Sequence, residues 1–287
     1  NLNSQNNRHL RFVLKYFMCF KNSICLWNWV YVKSNFMIFL VGNNSRLSIA
    51  FKNLLGKSCV TFSSRNLSWL SETESLLAPE IILCTGALTD PKCTRDEFYD
   101  VNISLPLRIA NRFSSAKLVT FGTIMELSNL YIDSKRQLSS ELLTKVEYFK
   151  HYRLHTLYGI GLPKSHMFLG SVYEALKTGH TFTMSSGTQH REYHHYSDIA
   201  EYVLQSYNTK ENYTNCSSGN SVTLLDIVTS VKNDIDPSFD VILDKTLDQT
   251  NETFGTWPMN NSFLSCTRPP LKGITNYLIN CLEGKVN

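Results

Sequence analysis

Short apolar runs alternate with stretches of helical spacing along the first half of the chain. Met37-Ile38-Phe39-Leu40-Val41 is unbroken apolar sequence ending at Gly42, the pattern of a strand buried on both faces. Residues 46–55 follow with Leu47, Ala50, Phe51, Leu54 and Leu55 at helical spacing. Ser58 to Phe62 predicts a second strand, and Glu80 to Cys84, after Pro79, a third. Asp96 to Phe113 predicts a helix and Lys117 to Phe121 a strand; a helix containing Tyr131 comes next, and Phe149 to Leu157 contains a further strand. Strand and helix joined by short connections predict an α/β fold, a parallel sheet with helices on both faces. After about residue 160 the alternation loosens into short pieces, which predicts a smaller lobe at the sheet's carboxyl edge.

The first 36 residues break this pattern. Segment 10–32 is aromatic and apolar, but Lys15, Lys21 and Asn22 interrupt it, so it makes a poor membrane span. It also lacks a small-residue cleavage site. Met37 is expected to be the natural start, with 1–36 an extension outside the fold. The alternative is a partner-binding or membrane-associating arm carrying Trp27, Trp29 and Tyr31.

Composition narrows the class. The chain has 287 residues, 43% hydrophobic and 18% charged, enough for one large α/β domain with a small partner lobe. A net charge of +4 with no long Lys/Arg run does not imply nucleic acid. The 8 cysteines form no C-x-x-C pair, so a reducing cytoplasm is expected. Cys84 reads as a buried thiol, and Trp69 and Trp257 as packing aromatics.

Chemistry enters at three places. Val41-Gly42-Asn43-Asn44-Ser45-Arg46-Leu47-Ser48 joins the first strand to the first helix, where a dinucleotide's pyrophosphate would meet a helix N-terminus. Of the glycines such a turn uses, Gly42 is kept, and Ser45 and Ser48 stand in the later positions; a plain strand–helix turn is the alternative. The second strand ends in Phe62-Ser63-Ser64-Arg65. Small residues and an arginine, in place of an acidic ribose anchor, suit a 2′-phosphate and favour NADP; an ordinary surface arginine fits equally. Tyr131 and Lys135 lie four apart on one helical face. An ammonium beside a phenol lowers its pKa, normally about 10, and readies it for proton transfer. The same spacing also fits an aromatic packed inward beside a solvated lysine.

Taken together, residues 37 to about 280 resemble the extended short-chain dehydrogenase/reductase superfamily, the NAD(P)-dependent sugar-nucleotide epimerases, dehydratases and reductases. The turn at 41–48 is similar to theirs. Cys84-Thr85-Gly86-Ala87-Leu88 resembles their fourth-strand loop, and Tyr99-Asp100-Val101-Asn102 their following helix motif. Phe121-Gly122-Thr123 puts Thr123 at the catalytic serine/threonine, and Tyr131 with Lys135 forms the tyrosine–lysine pair. Arg153 to Ile160 matches a later motif, with Thr156 replacing asparagine and Ile160 replacing proline. Arg191-Glu192-Tyr193-His194-His195-Tyr196-Ser197-Asp198-Ile199-Ala200 matches the last.

The resemblance implies a Rossmann-type doubly wound parallel sheet over 37–160, with 161–287 mainly a small C-terminal substrate-binding lobe from which some segments return to the core. Catalysis would fall to Thr123, Tyr131 and Lys135. Gly42, Asn44, Ser45, Arg46 and Leu47 would line the pyrophosphate, and Ser63, Ser64 and Arg65 the adenosine ribose. Thr85, Gly86, Ala87 and Asn102 would contact the cofactor, NADP in preference to NAD, with Tyr131 and Lys135 at the nicotinamide ribose and His155 near the nicotinamide. Thr123, Thr156 and Arg191 would meet a nucleotide-sugar substrate, Arg191 through its phosphates. His195 and Asp198 would be structural, and no metal is expected at His190, His194 and His195. A homodimer is expected by analogy.

One departure stands out. Thr123 and Tyr131 are joined by a shorter loop than in most relatives, leaving Met125, Glu126 and Asn129 as lining. An NADPH-dependent keto-sugar reductase is the leading reading; a nucleotide sensor without catalysis, favoured by Ser45 and Ser48, is the other.

Overall fold

The computed structural model describes residues 37–72, 79–126, 128–247 and 268–286. The 1–36 segment and Trp257 lie outside them. Six strands form one parallel sheet: β1 (Ile38–Val41), β2 (Cys59–Phe62), β3 (Ile81–Cys84), β4 (Lys117–Thr123), β5 (Phe149–Leu154) and β10 (Tyr213–Cys216). Their order is β10-β5-β4-β3-β1-β2. Register is set by residues such as Phe39, which lies between Val60 and Ile82. β1 and β3 are buried throughout, as their unbroken apolar runs require.

Helices cover both faces. On one, α1 (Arg46–Leu55) packs against α6 (Tyr196–Ser206), burying Leu47, Ala50 and Phe51 with Ile199 and Val203. On the other lie α2 (Arg95–Tyr99), α3 (Leu105–Arg112) and α4 (Leu130–Lys145), around Ile103, Ile109, Leu138 and Leu142. Trp69 packs there, its ring stacked on Phe62 with centroids 4.3 Å apart.

One expected element differs. The helix read over Asp96–Phe113 is split by a π-helical turn, Asp100–Ser104, between α2 and α3. Pro106 supplies the reason, since it has no N–H to continue an α-helical ladder. The strand expected within Phe149–Leu157 runs from Phe149 to Leu154; after His155 the chain leaves the sheet as β6 (Thr156–Tyr158). β6 pairs instead with β9 (Tyr193–His195), Thr156 opposite Tyr193 and Leu157 opposite His194.

The remaining elements surround a separate core of Leu169, Val172, Ile227, Val231, Ile274 and Leu278. It is built from α5 (Phe168–Thr178), α7 (Leu224–Asp234) and α8 (Pro270–Leu282), with β7 (Phe182–Met184) paired to β12 (Val241–Leu243). β8 (His190–Arg191) pairs with β11 (Val222–Thr223). Cys59, Cys84, Cys93, Cys216 and Cys281 are free thiols, and burial pushes Cys84 up to about 12. No helix among the described residues is long and apolar enough to cross a membrane.

Candidate active site

The strand order reverses between β1 and β3, and a cavity of about 1390 Å³ opens beyond their carboxyl ends. Its inner wall begins at Gly42, whose φ of +105° belongs to the region that favours glycine. The Gly42 amide donates to the Phe62 carbonyl at 2.9 Å. A Cβ on Gly42 would stand 2.4 Å from the Gly86 nitrogen, so the β1 and β3 loops meet with no room for a side chain.

The two serines of the turn have defined jobs. Ser45 caps α1, accepting from the Ser48 amide at 3.0 Å, and its hydroxyl donates to Thr85 Oγ1 at 2.9 Å. Ser48 is 1% exposed and its hydroxyl bonds the same Thr85 oxygen, which in turn donates to the Val41 carbonyl at 3.0 Å. A buried hydroxyl thus occupies the place where a glycine would let helix and strand pack, and Thr85 satisfies it. The amides of Arg46 and Leu47, in the first helical turn, have no acceptor within the helix and suit an anion.

At the end of β2, Ser63 Oγ accepts from the Arg65 and Asn66 amides, each at 3.1 Å, which folds the loop so that Ser63, Ser64 and Arg65 all line the cavity. Arg65 is exposed. Thr85, Gly86 and Ala87 line it from the β3 loop.

Thr123, at the carboxyl end of β4, and Tyr131 and Lys135, on α4, line the same cavity. Asn129 starts α4 by accepting from the Ile132 amide at 2.9 Å, which fixes the helix so that both side chains face inward. Lys135 is 6% exposed, its Nζ 6.0 Å from the Tyr131 ring centroid. Burial lowers the Lys135 ammonium to about 8, and burial, with Tyr196 nearby, pushes the Tyr131 phenol up to about 12. The expected lowering of Tyr131 by Lys135 is therefore not what the structure shows: removing both groups from water disfavours both charges, and burial sets the direction for each.

Asn102 departs from the rest. It is fully buried in the π-helical turn and does not line the cavity. Its Oδ1 accepts from the Leu88 amide at 2.8 Å, while Nδ2 donates to the Leu88 carbonyl and to Ser134 Oγ. It therefore holds the β3 loop against α4 from behind. In the short loop after Thr123, Met125 and Asn129 line the cavity and Glu126 does not.

The far wall carries His155, Thr156 and Arg191. Arg191 donates to Gln189 Oε1 at 2.9 Å. Burial lowers the His155 imidazole to about 4, although Glu192 opposes this.

No protein-family model and no curated protein matches the chain. Solved structures do. The Bordetella bronchiseptica enzyme WbmG in complex with NAD superposes with a TM-score of 0.70 at 16% identity, over 90% of this chain and 97% of that one. A GDP-L-fucose synthetase from Naegleria fowleri bound to NADP gives 0.66 at 14% identity, over 88% and 94%. UDP-glucose 4-epimerase from Thermotoga maritima with UDP-glucose gives 0.66 at 12% identity, over 86% and 99%.

The chain has their fold.

Within that fold, the sequence reading missed Lys164 and the reach of Arg46 across the cavity. Lys164 lines the cavity, donating to Thr89 Oγ1 at 2.9 Å, and Arg46 reaches across to the Leu162 carbonyl. Nothing in Leu162-Pro163-Lys164 signals this; only the tertiary path of the loop brings it to the turn. The three clustered histidines diverge. His190 is exposed. His195 caps α6 through the Ser197 amide and packs on Gly159, where a Cβ would meet its ring at 2.0 Å. Asp198 pairs with Arg268. His194 alone turns inward, to Glu192.

Proposed function

We propose that the chain is an NAD(P)-dependent enzyme of the extended short-chain dehydrogenase/reductase type acting on a nucleotide-linked sugar, and that its reaction is the NADPH-dependent reduction of a keto-sugar. The observation that carries this reading is the shared cavity: the glycine-lined turn at Gly42 and the Thr123–Tyr131–Lys135 set face one space. The side-chain-free contact of Gly42 with Gly86, beside a helix N-terminus, fits a dinucleotide's phosphates. Structures of the same fold are described with NAD, NADP and UDP-glucose.

In this reading Gly42, Asn44, Ser45, Arg46 and Leu47 hold the pyrophosphate, and Ser63, Ser64 and Arg65 hold the adenosine ribose and its 2′-phosphate. Thr85, Gly86 and Ala87 bound the nicotinamide half, with Lys135 at its ribose and His155 nearby; Asn102 positions that loop. A reduced nicotinamide held by these residues would supply the hydride for the carbonyl carbon. Thr123 donates a hydrogen bond to the carbonyl oxygen, and Tyr131 passes its phenolic proton to that oxygen as charge develops. A phenol held protonated well above neutral pH suits the donor role. Arg191 and Thr156 orient the substrate, the guanidinium gripping phosphate.

The test is Tyr131→Phe, assayed against a panel of nucleotide-linked keto-sugars with NADPH binding followed by fluorescence. Turnover is expected to fall by at least about 100-fold with NADPH affinity retained; unchanged turnover would defeat the assignment. Wild-type protein that binds NADPH tightly yet oxidises it with no member of the panel would favour the sensor. For Arg65→Ala, NADPH is expected to bind about tenfold more weakly while NADH is unaffected; equal losses for both would remove Arg65 from the 2′-phosphate.

A further inference from the structure

His155 lies between β5 and β6, Glu192 just before β9 and His194 within β9, and their ligand-type atoms all fall within 4.8 Å of one another. His194 Nε2 is 3.1 Å from Glu192 Oε2, and His155 Nε2 is 3.9 Å from Glu192 Oε1. The imidazole centroids are 5.6 Å apart. We propose that these three side chains form a binding site for a divalent metal ion of the zinc class, beside the cavity wall that His155 lines.

Donor chemistry supports this first. Two imidazole nitrogens and one carboxylate are a donor set that Zn²⁺ takes, with bonds of about 2.0–2.2 Å and ligand atoms roughly 3.3 Å apart in a tetrahedron. The His194–Glu192 spacing of 3.1 Å is already close to that, and the His155–Glu192 spacing of 3.9 Å is somewhat wider. Three protein ligands leave a fourth position for water or for an oxygen of a molecule in the cavity, which His155 lines.

Support around the carboxylate comes second. Glu192 Oε1 accepts from Ser217 Oγ at 2.6 Å and the Gly219 amide at 3.2 Å; Oε2 accepts from the Ser218 amide at 2.7 Å and Ser218 Oγ at 3.0 Å. Such outer hydrogen bonds hold a ligating carboxylate in place before metal arrives. Charge is the third ground. Glu192 is 6% exposed, and among the described residues no Lys or Arg stands within ion-pair distance of it. Its negative charge complements a dication held between it and the two imidazoles. The ion would join the β5–β6 corner, β9 and the loop after β10 at one point.

The test uses the full chain without a histidine tag, stripped by chelator and titrated with Co²⁺ alone, then with Zn²⁺ in competition. One equivalent of Co²⁺ is expected to bind with the visible absorption of a low-coordinate cobalt site, to be displaced by Zn²⁺, and to raise the melting temperature. His194→Gln keeps a hydrogen-bond donor for Glu192, and His155→Phe keeps an aromatic ring at the cavity wall; each is expected to weaken Co²⁺ binding at least about tenfold. Circular dichroism checks that both variants fold, and if either does not, the wild-type titration decides. Failure of the wild-type chain to take up a stoichiometric equivalent, or undiminished binding in both folded variants, overturns the proposal and leaves the cluster as a hydrogen-bonded anchor. No readout depends on turnover, so the result is independent of the proposed reaction.

Discussion

Burial of Lys135, the residue proposed to hold the nicotinamide ribose, comes at the expense of stability. Its ammonium titrates near 8 in the folded protein and about 10.4 when unfolded. Between those values the unfolded chain binds more protons, so stability contributed by this group rises with pH through the window, and the full penalty applies below it. Lys135→Met is therefore expected to raise unfolding free energy at pH 7 by roughly 1–3 kcal/mol, with the gain shrinking towards pH 10. Urea denaturation at both pH values measures it, and an equal effect at both would reject the account. The same variant is expected to lose turnover. The Tyr131–Lys135 spacing was legible because helical periodicity alone puts them on one face. The direction of the phenol's shift was not legible, since it depends on burial that spacing does not encode. The Glu192–His155 approach was hidden for another reason: it joins residues far apart in sequence through the β6–β9 register.

Among the elements, the turn from β1 into α1 is the most constrained. Its sequence looked depleted of glycine, yet the structure needs glycine chiefly at position 42, where φ is positive and Gly86 lies against it. Ser48 fills the helix–strand contact without disrupting it, because Thr85 offers a partner that no local pattern reveals. Gly42→Ala is expected to cost about 1–3 kcal/mol in stability and to weaken NADPH binding at least tenfold. Thermal melts and fluorescence titration would show it; a variant of wild-type stability would mean the turn relaxes freely. The core strands were legible as apolar runs, since strands buried on both faces cannot alternate. The π-helical turn was not, because the apolar spacing runs through Pro106 as if the helix were continuous, and the short strands β7 to β9 are too brief to carry a period.

At the scale of the whole molecule, the sheet closes late. β5 is nearly wholly buried, and its outer partner β10 comes only at Tyr213–Cys216, after the chain has left the sheet at His155 and built α5 and α6. While the protein is being synthesised, β5 therefore waits with a bare row of amides and carbonyls until residues beyond 216 have left the ribosome. An open edge of that kind pairs readily with neighbouring chains. A chain stopped after Glu211 is expected to aggregate, and the full-length chain to remain dispersed, in fractionation at matched expression; equal solubility would count against it. The strand that completes the sheet thus also sets the moment at which the nascent chain becomes safe from its neighbours.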